Sequence, residues 1–308
     1  MEETETKPWR RKRLVIVSAA AVVMAVIVSI AFWPRPKEAE YQGKKLSEWL
    51  RALRNPESED ATNAVLAIGT NALPFLVKWV QYELPEWREG AANNTAKWPR
   101  WRISFWVAKH LHSRREGLAQ RAEFGFAVLG ERAVPAIPEL SRYVRDPKVR
   151  SPLFAAQSLA HIGPGAVAPL VAALEMKDQT ERRRLEILCA IPELKDRGPE
   201  VHTTIPVLIS CLTDTNEFIA SVAAETLGSF LVEPEECIPA LTKAAGSANA
   251  RTRRAAIQAL GEFGAAARPV VNVISNGLSD SNLSVRYSAT NALKKIAPEV
   301  LTNGASHF

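Results

Sequence analysis

SLAHIGPGAVAPLVAAL, residues 158–174, is the stretch on which the reading of this chain turns. A helical run rich in Ala and Leu stops at Gly163, and a second apolar run follows around Pro169. Glycine takes the left-handed conformation that closes a helix. Proline suits the first turn of the next helix, where no backbone donor is required. Ala166, Leu170, Val171 and Leu174 recur at helical spacing and place one apolar stripe on the second run. A lone hairpin cannot hide such a stripe, whereas stacked hairpins hide it against one another.

The phrase returns on both sides. Copies are AVLAIGTNALPFLVKWV at 64–80, FAVLGERAVPAIPEL at 126–140 and ALGEFGAAARPVVNVI at 259–274. Less regular ones are ETLGSFLVEPEECIPALTK at 225–243 and the stretch 182–212, and a half copy is VRYSATNALKKI at 285–296. Gly69, Gly130, Gly163 and Gly264 are expected to close first helices. Prolines at 74, 135, 169, 206, 239 and 269 are expected to open second helices. The last four intervals between them are 34, 37, 33 and 30, while the first is 61, nearly two periods. Such periods mean stacked supersecondary units, with a divergent insertion at about 82–121.

This pattern, over Leu46 to Ile296, resembles the short bacterial kind of HEAT repeat, called PBS-lyase-like. Tyr41-Gln42-Gly43-Lys44-Lys45-Leu46-Ser47-Glu48-Trp49-Leu50 resembles the opening of membrane-anchored HEAT-repeat proteins from bacteria. The phrases of tetratricopeptide and ankyrin units are absent. The resemblance implies an all-α fold: a right-handed HEAT-like α-solenoid, or armadillo-like superhelix, of six or seven hairpins. Its second helices would line a concave surface, with Asn272, Ser275 and Asn276 among the surface residues. HEAT-like arrays also place Asp and Arg between units. Asp146 with Arg150, Asp178 with Arg182 or Arg184, and Asp280 with Arg286 are the expected pairs, with the ladder interrupted near Asp214 and Gly246.

At the other end, residues 14–33 read LVIVSAAAVVMAVIVSIAFW, without a charge or a proline. Twenty such residues suffice to cross ~30 Å of hydrocarbon as a helix. Lys7, Arg10, Arg11, Lys12 and Arg13 precede the span, Trp9 and Trp33 bracket it, and Pro34 ends it. The basic cluster favours a cytoplasmic N-terminus, with the body on the extracytoplasmic, periplasmic side of the membrane. Ser29-Ile30-Ala31 offers the alternative of a cleaved signal and a secreted body, against which stands the length of the apolar run. The organisation read from the chain is a basic tail 1–13, a transmembrane helix 14–33, a linker 34–45, the solenoid 46–296 and a tail 297–308.

Charge agrees with this division. Residues 1–37 carry a net +4 and the rest of the chain only +2, so the basic excess is a topology signal rather than a nucleic-acid footprint. Cys189, Cys211 and Cys237, odd in number and without metal spacing, read as small core residues. His110, His112, His161, His202 and His307 are none of them followed by Glu, so the iron-holding pairs of deoxyhypusine hydroxylase, a HEAT-type enzyme, are missing. No phosphate loop, nucleophile elbow or metalloprotease motif occurs. No catalytic, cofactor-binding or metal-binding residue is expected.

One stretch stands out. Trp87, Trp98, Arg100, Trp101, Arg102 and Trp106 gather Trp and Arg, favoured anchors of interfaces, in the divergent insertion. They either pack that insertion or form a partner-binding patch. The expected function is a membrane-anchored, non-catalytic scaffold or adaptor for a protein or peptide partner. The alternatives are a HEAT-like enzyme, bilin lyase-like or DNA glycosylase-like, or a nucleic-acid-binding module.

Overall fold

The computed structural model describes residues 37–53, 58–81, 102–149, 151–177, 179–195 and 198–304. From Ala39 onward the chain forms one compact unit. The expected span 14–33 lies outside the described residues.

The first elements are strands β1 (Glu40–Tyr41) and β2 (Lys44–Lys45), a small antiparallel hairpin inside the stretch read as a linker. Gln42 and Gly43 both have positive φ, the two-residue turn whose twist matches paired strands. The indole N–H of Trp49 donates to the Tyr41 carbonyl at 3.1 Å, and the Lys44 ammonium sits 4.6 Å over the Trp49 ring. These contacts fold the hairpin onto helix α1 (Leu46–Ala52).

Helix pairs follow. They are α2 (Glu59–Ile68) with α3 (Leu73–Val80), α4 (Arg102–Leu129) with α5 (Ile137–Arg145), and α6 (Leu153–Ile162) with α7 (Val167–Leu174). Next come α8 (Glu181–Leu188) with α9 (Ile205–Cys211), α10 (Glu217–Phe230) with α11 (Pro234–Ala244), and α12 (Ala250–Glu262) with α13 (Val271–Asn276). The last is α14 (Leu283–Ile296) with α15 (Pro298–Gly304), which lies in the stretch expected to be a tail. The even-numbered helices are the first of each pair, and from α4 on each packs against the next. The result is an all-α solenoid of stacked helical pairs, as the repeats implied.

Five of the pairs turn a corner through a glycine or a short 3-10 stretch, while α10–α11 turns at Leu231 and α14–α15 at Ala297. Gly69, Gly130, Gly163 and Gly264 all have positive φ at the ends of first helices, but Gly69 and Gly163, with ψ −136° and −161°, lie outside the left-handed helical conformation expected of them. Pro74 and Pro206 open second helices as expected. Pro169, third in α7, also lies in the first turn, where no backbone donor is needed. The others are displaced. Pro135 and Pro269 lie in the 3-10 stretches before α5 and α13, and Pro138 takes the opening place in α5. Pro239 falls inside α11 because Pro234, followed by Glu235 and Glu236, starts that helix a turn earlier.

The core is Ala, Leu, Ile and Val. Where Ala and Gly face each other, first helices come very close: a Cβ on Gly228 would lie 2.7 Å from the Ala259 Cα, and one on Gly261 2.9 Å from the Ala292 Cβ. Residues 59–80 are apolar enough to cross a membrane by length and composition. Here they form α2 and α3, and Ala61, Val65, Ile68, Leu73, Leu76 and Val80 are buried in the core.

Candidate functional site

The junctions between first helices are built from a small set of polar residues. Asn216, Asn249 and Asn282, spaced 33 apart, cap α10, α12 and α14. Each side-chain oxygen accepts a backbone N–H of the first turn, at 2.9, 2.8 and 2.9 Å for Phe218, Arg251 and Ser284. Two residues before each cap, Asp214, Ser247 and Asp280 accept the cap's own N–H.

Two kinds of tie then cross to the preceding unit. In the first, the cap amide donates to a glutamate that opens the preceding first helix: Asn216 to Glu181 at 2.8 Å, and Asn249 to Glu217. In the second, an arginine four residues after one cap grips the aspartate before the next. Arg184 holds Asp214, and Arg253 holds Asp280 with two bonds of 2.7 and 2.8 Å. The α8–α10 junction has both ties. The α10–α12 junction has only the amide tie, because Ala220 and Ser247 stand where Arg and Asp would be. The α12–α14 junction has only the arginine tie, because Ala250 replaces the glutamate.

This corrects the pairing expected from sequence. Asp280 takes the side chain of Arg253 from the preceding unit, while Arg286 donates to the Asp280 carbonyl. Arg184 likewise reaches forward to Asp214, and Arg182 pairs with Glu186 in its own helix. Arg150 and Asp178 lie outside the described residues. The side-chain hydrogen bonds from Arg253 push the Asp280 carboxyl down to about 2.

Sequence reading missed Arg183. It is only 3% exposed, at a position where the other units have Ile219, Thr252 and Val285. Its guanidinium donates to the carbonyls of Val144, Asp146 and Val149, which closes the C-terminal end of α5. Burial pulls its pKa down against the opposing pull of Asp146 and Glu186.

Outside these ties an open groove of about 880 Å³ runs along α12 and α14, on the first-helix side. Leu283 and Tyr287 edge it, 71% and 68% exposed, with Arg254, Lys294 and Lys295 around them. Arg254 pairs with Glu225 at 2.6 Å and Lys295 with Glu262 at 2.8 Å. Toward α10 the same surface continues to exposed Phe218, with the Arg251 guanidinium 4.4 Å above its ring. On the second-helix side, Asn272 and Asn276 are exposed and Ser275 is half-buried.

Of the six residues expected as a partner patch, Arg102 and Trp106 fall in the first turns of α4. Trp87, Trp98, Arg100 and Trp101 lie outside the described residues. Cys211 and Cys237 are buried as expected, and burial followed by Glu236 and Glu233 pushes the Cys237 thiol up to about 11. Cys189 departs from the expectation and is exposed at the end of α8. His161 lies 3.5 Å from Glu123, and His202 meets Glu233 at 2.6 Å. Among the described residues no three His, Cys, Asp or Glu are grouped to hold a metal ion.

Residues 238–303 match the family model described as HEAT repeats. No curated protein matches the chain. Among solved structures, it is similar to a designed armadillo repeat protein in complex with the peptide (KR)4, at 14% identity and TM-score 0.47, over 82% of this chain and 99% of that one. It is similar to human deoxyhypusine hydroxylase at 16% identity and TM-score 0.34, over 81% of this chain and 83% of that one. The complex of CpcE and CpcF of phycocyanin lyase from Nostoc sp. PCC7120 matches at 17% identity and TM-score 0.34, over 85% and 98%. In fold the chain is an all-α helical-repeat solenoid of the armadillo and HEAT kind, with HEAT repeats recognisable in its C-terminal units.

Proposed function

We propose that the protein is a membrane-anchored scaffold whose helical repeats hold a protein or peptide partner without catalysing a reaction on it. The observation that carries this reading is the open groove along α12 and α14, where exposed Leu283 and Tyr287 stand among basic side chains on a rigid helical frame. Apolar residues rimmed by charge favour protein partners. Stacked repeats offer an extended surface fixed in place before a partner arrives, so little entropy is lost on binding. The Trp/Arg patch of the insertion, Trp87 to Trp106, is a second candidate contact.

Anchoring rests on the uncharged run 14–33 and the five basic residues before it. In this reading the N-terminus is cytoplasmic and the solenoid lies on the extracytoplasmic side. A topology reporter fused after Phe308 tests it: activity in the cytoplasm would reverse the orientation, and recovery of the intact chain without detergent would remove the anchor. Cross-linking in the native membrane followed by purification should return a reproducible protein partner. Its failure across several cross-linker lengths would overturn the scaffold reading.

A further inference from the structure

Helix α14 carries the donor half of a repeat junction, and among the described residues no aspartate meets it. Arg286 stands four residues after its cap, as Arg184 and Arg253 do after theirs. Its Nη1 donates to the carbonyls of Asp280 and Ser281 at 2.7 and 3.1 Å. Arg253 holds Ser247 and Ala248 in the same way, at 2.9 Å each. In Arg253 this pose leaves Nε and Nη2 free to grip the next aspartate. In Arg286 those two nitrogens make no hydrogen bond among the described residues. A guanidinium already oriented by its own loop loses little entropy when it receives a carboxylate.

The residues around Arg286 say what kind of carrier brings that carboxylate. Leu283 takes the place of Glu181 and Glu217, so an apolar contact replaces the amide tie. Tyr287 stands one turn along on the same flank, equally exposed. Lys294 takes the place of Gly228 and Gly261, the residues that let the next helix lie within van der Waals contact. A side chain there keeps away a further helix in repeat register and adds a positive charge. With Arg286 and Lys294 both positive, the flank repels a second copy of itself. It suits an acidic segment that meets the start of α14 and diverges before its end.

We propose that the flank formed by Leu283, Arg286, Tyr287 and Lys294 is the docking surface for an acidic segment of the partner protein. One carboxylate is held by Nε and Nη2 of Arg286, an apolar side chain sits against Leu283 and Tyr287, and a further carboxylate lies near Lys294. This rests on the scaffold reading and gives that partner its chemistry.

The probe is a labelled peptide with the sequence of residues 276–285, NGLSDSNLSV, which within the array offers Asp280 to Arg253 in the required manner. Titrated with the full chain in detergent, it should give a saturable rise in fluorescence anisotropy that weakens with salt. Arg286→Gln, or Asn for Asp in the peptide, should each weaken binding about tenfold, and the two together no further, as for one shared bond. Leu283→Ser and Tyr287→Ala change exposed residues and should weaken binding with the circular dichroism intact. Absence of binding up to millimolar protein, or binding indifferent to Arg286→Gln and Tyr287→Ala, overturns the docking site. A partner recovered by cross-linking that binds Arg286→Gln undiminished overturns the site and leaves the scaffold reading standing. The absence of any partner removes the scaffold reading itself.

Discussion

Arg253 and Arg184 occupy equivalent positions and differ in what stands behind them. Arg253 and Asp280 are both more than four-fifths buried, whereas Lys295 and Glu262, the other side-chain pair across their junction, are exposed. Arg184 shares its junction with the Asn216–Glu181 bond. Arg253→Ala is therefore expected to cost about 1.5–3 kcal/mol, the range for hydrogen bonds to charged groups. Arg184→Ala should cost less, and chemical denaturation of the two variants checks the order. Asp280 supplies a pH test. Its folded pKa lies below that of the free carboxyl, so the pair stabilises fully above about pH 4 and loses its contribution as pH falls toward about 2. The stability gap between the wild type and Asp280→Asn should be constant near neutrality and close over that interval. The sequence showed that Asp and Arg gather between units. It did not show which arginine meets which aspartate, because the partners belong to different repeats and meet only when the helices stack.

Helix α10 ends differently from its neighbours. Leu231 sits 33 residues before Gly264 and shares its positive φ, 57° against 55°, in a left-handed backbone. A branched side chain in that conformation costs roughly 1–2 kcal/mol, and Leu231 is exposed, so its side chain recovers little of that by burial. Leu231→Gly should raise stability by about 0.5–1 kcal/mol after the greater freedom of glycine in the unfolded chain is counted. Thermal unfolding measures this, and a fall in the melting temperature would mean that Leu231 packs better than its exposure suggests. The departure explains why the 225–243 copy looked irregular: the corner is kept and the glycine is not. The reverse holds at residues 82–121, read as an insertion. Their second half is the start of α4, a 28-residue helix whose even mixture of charged and apolar residues gives no sharp helical stripe.

The body and the N-terminal segment should separate cleanly. A chain lacking residues 1–37 retains the whole unit from Ala39 and is expected to be soluble and strongly helical by circular dichroism. A spectrum dominated by β structure would contradict the solenoid. Units in such an array touch only their neighbours, so amide exchange is expected to be graded along the chain. The slowest amides should be those of α10, α12 and α14, where glycine and alanine bring the helices closest.

The order of the letters determined that this chain is a stack of helical pairs, because the glycine corners and apolar stripes are local and repeat at a period a reader can count. It also marked the uncharged run 14–33, since length and hydropathy need no partner to be read. The direction of the Arg–Asp ties, the burial of Arg183 among carbonyls and the seating of the Arg286 guanidinium on its own loop appeared only when the helices were in place. Those features depend on which side chains from separate units arrive at the same point, and residue spacing along one strand of chain does not carry that information.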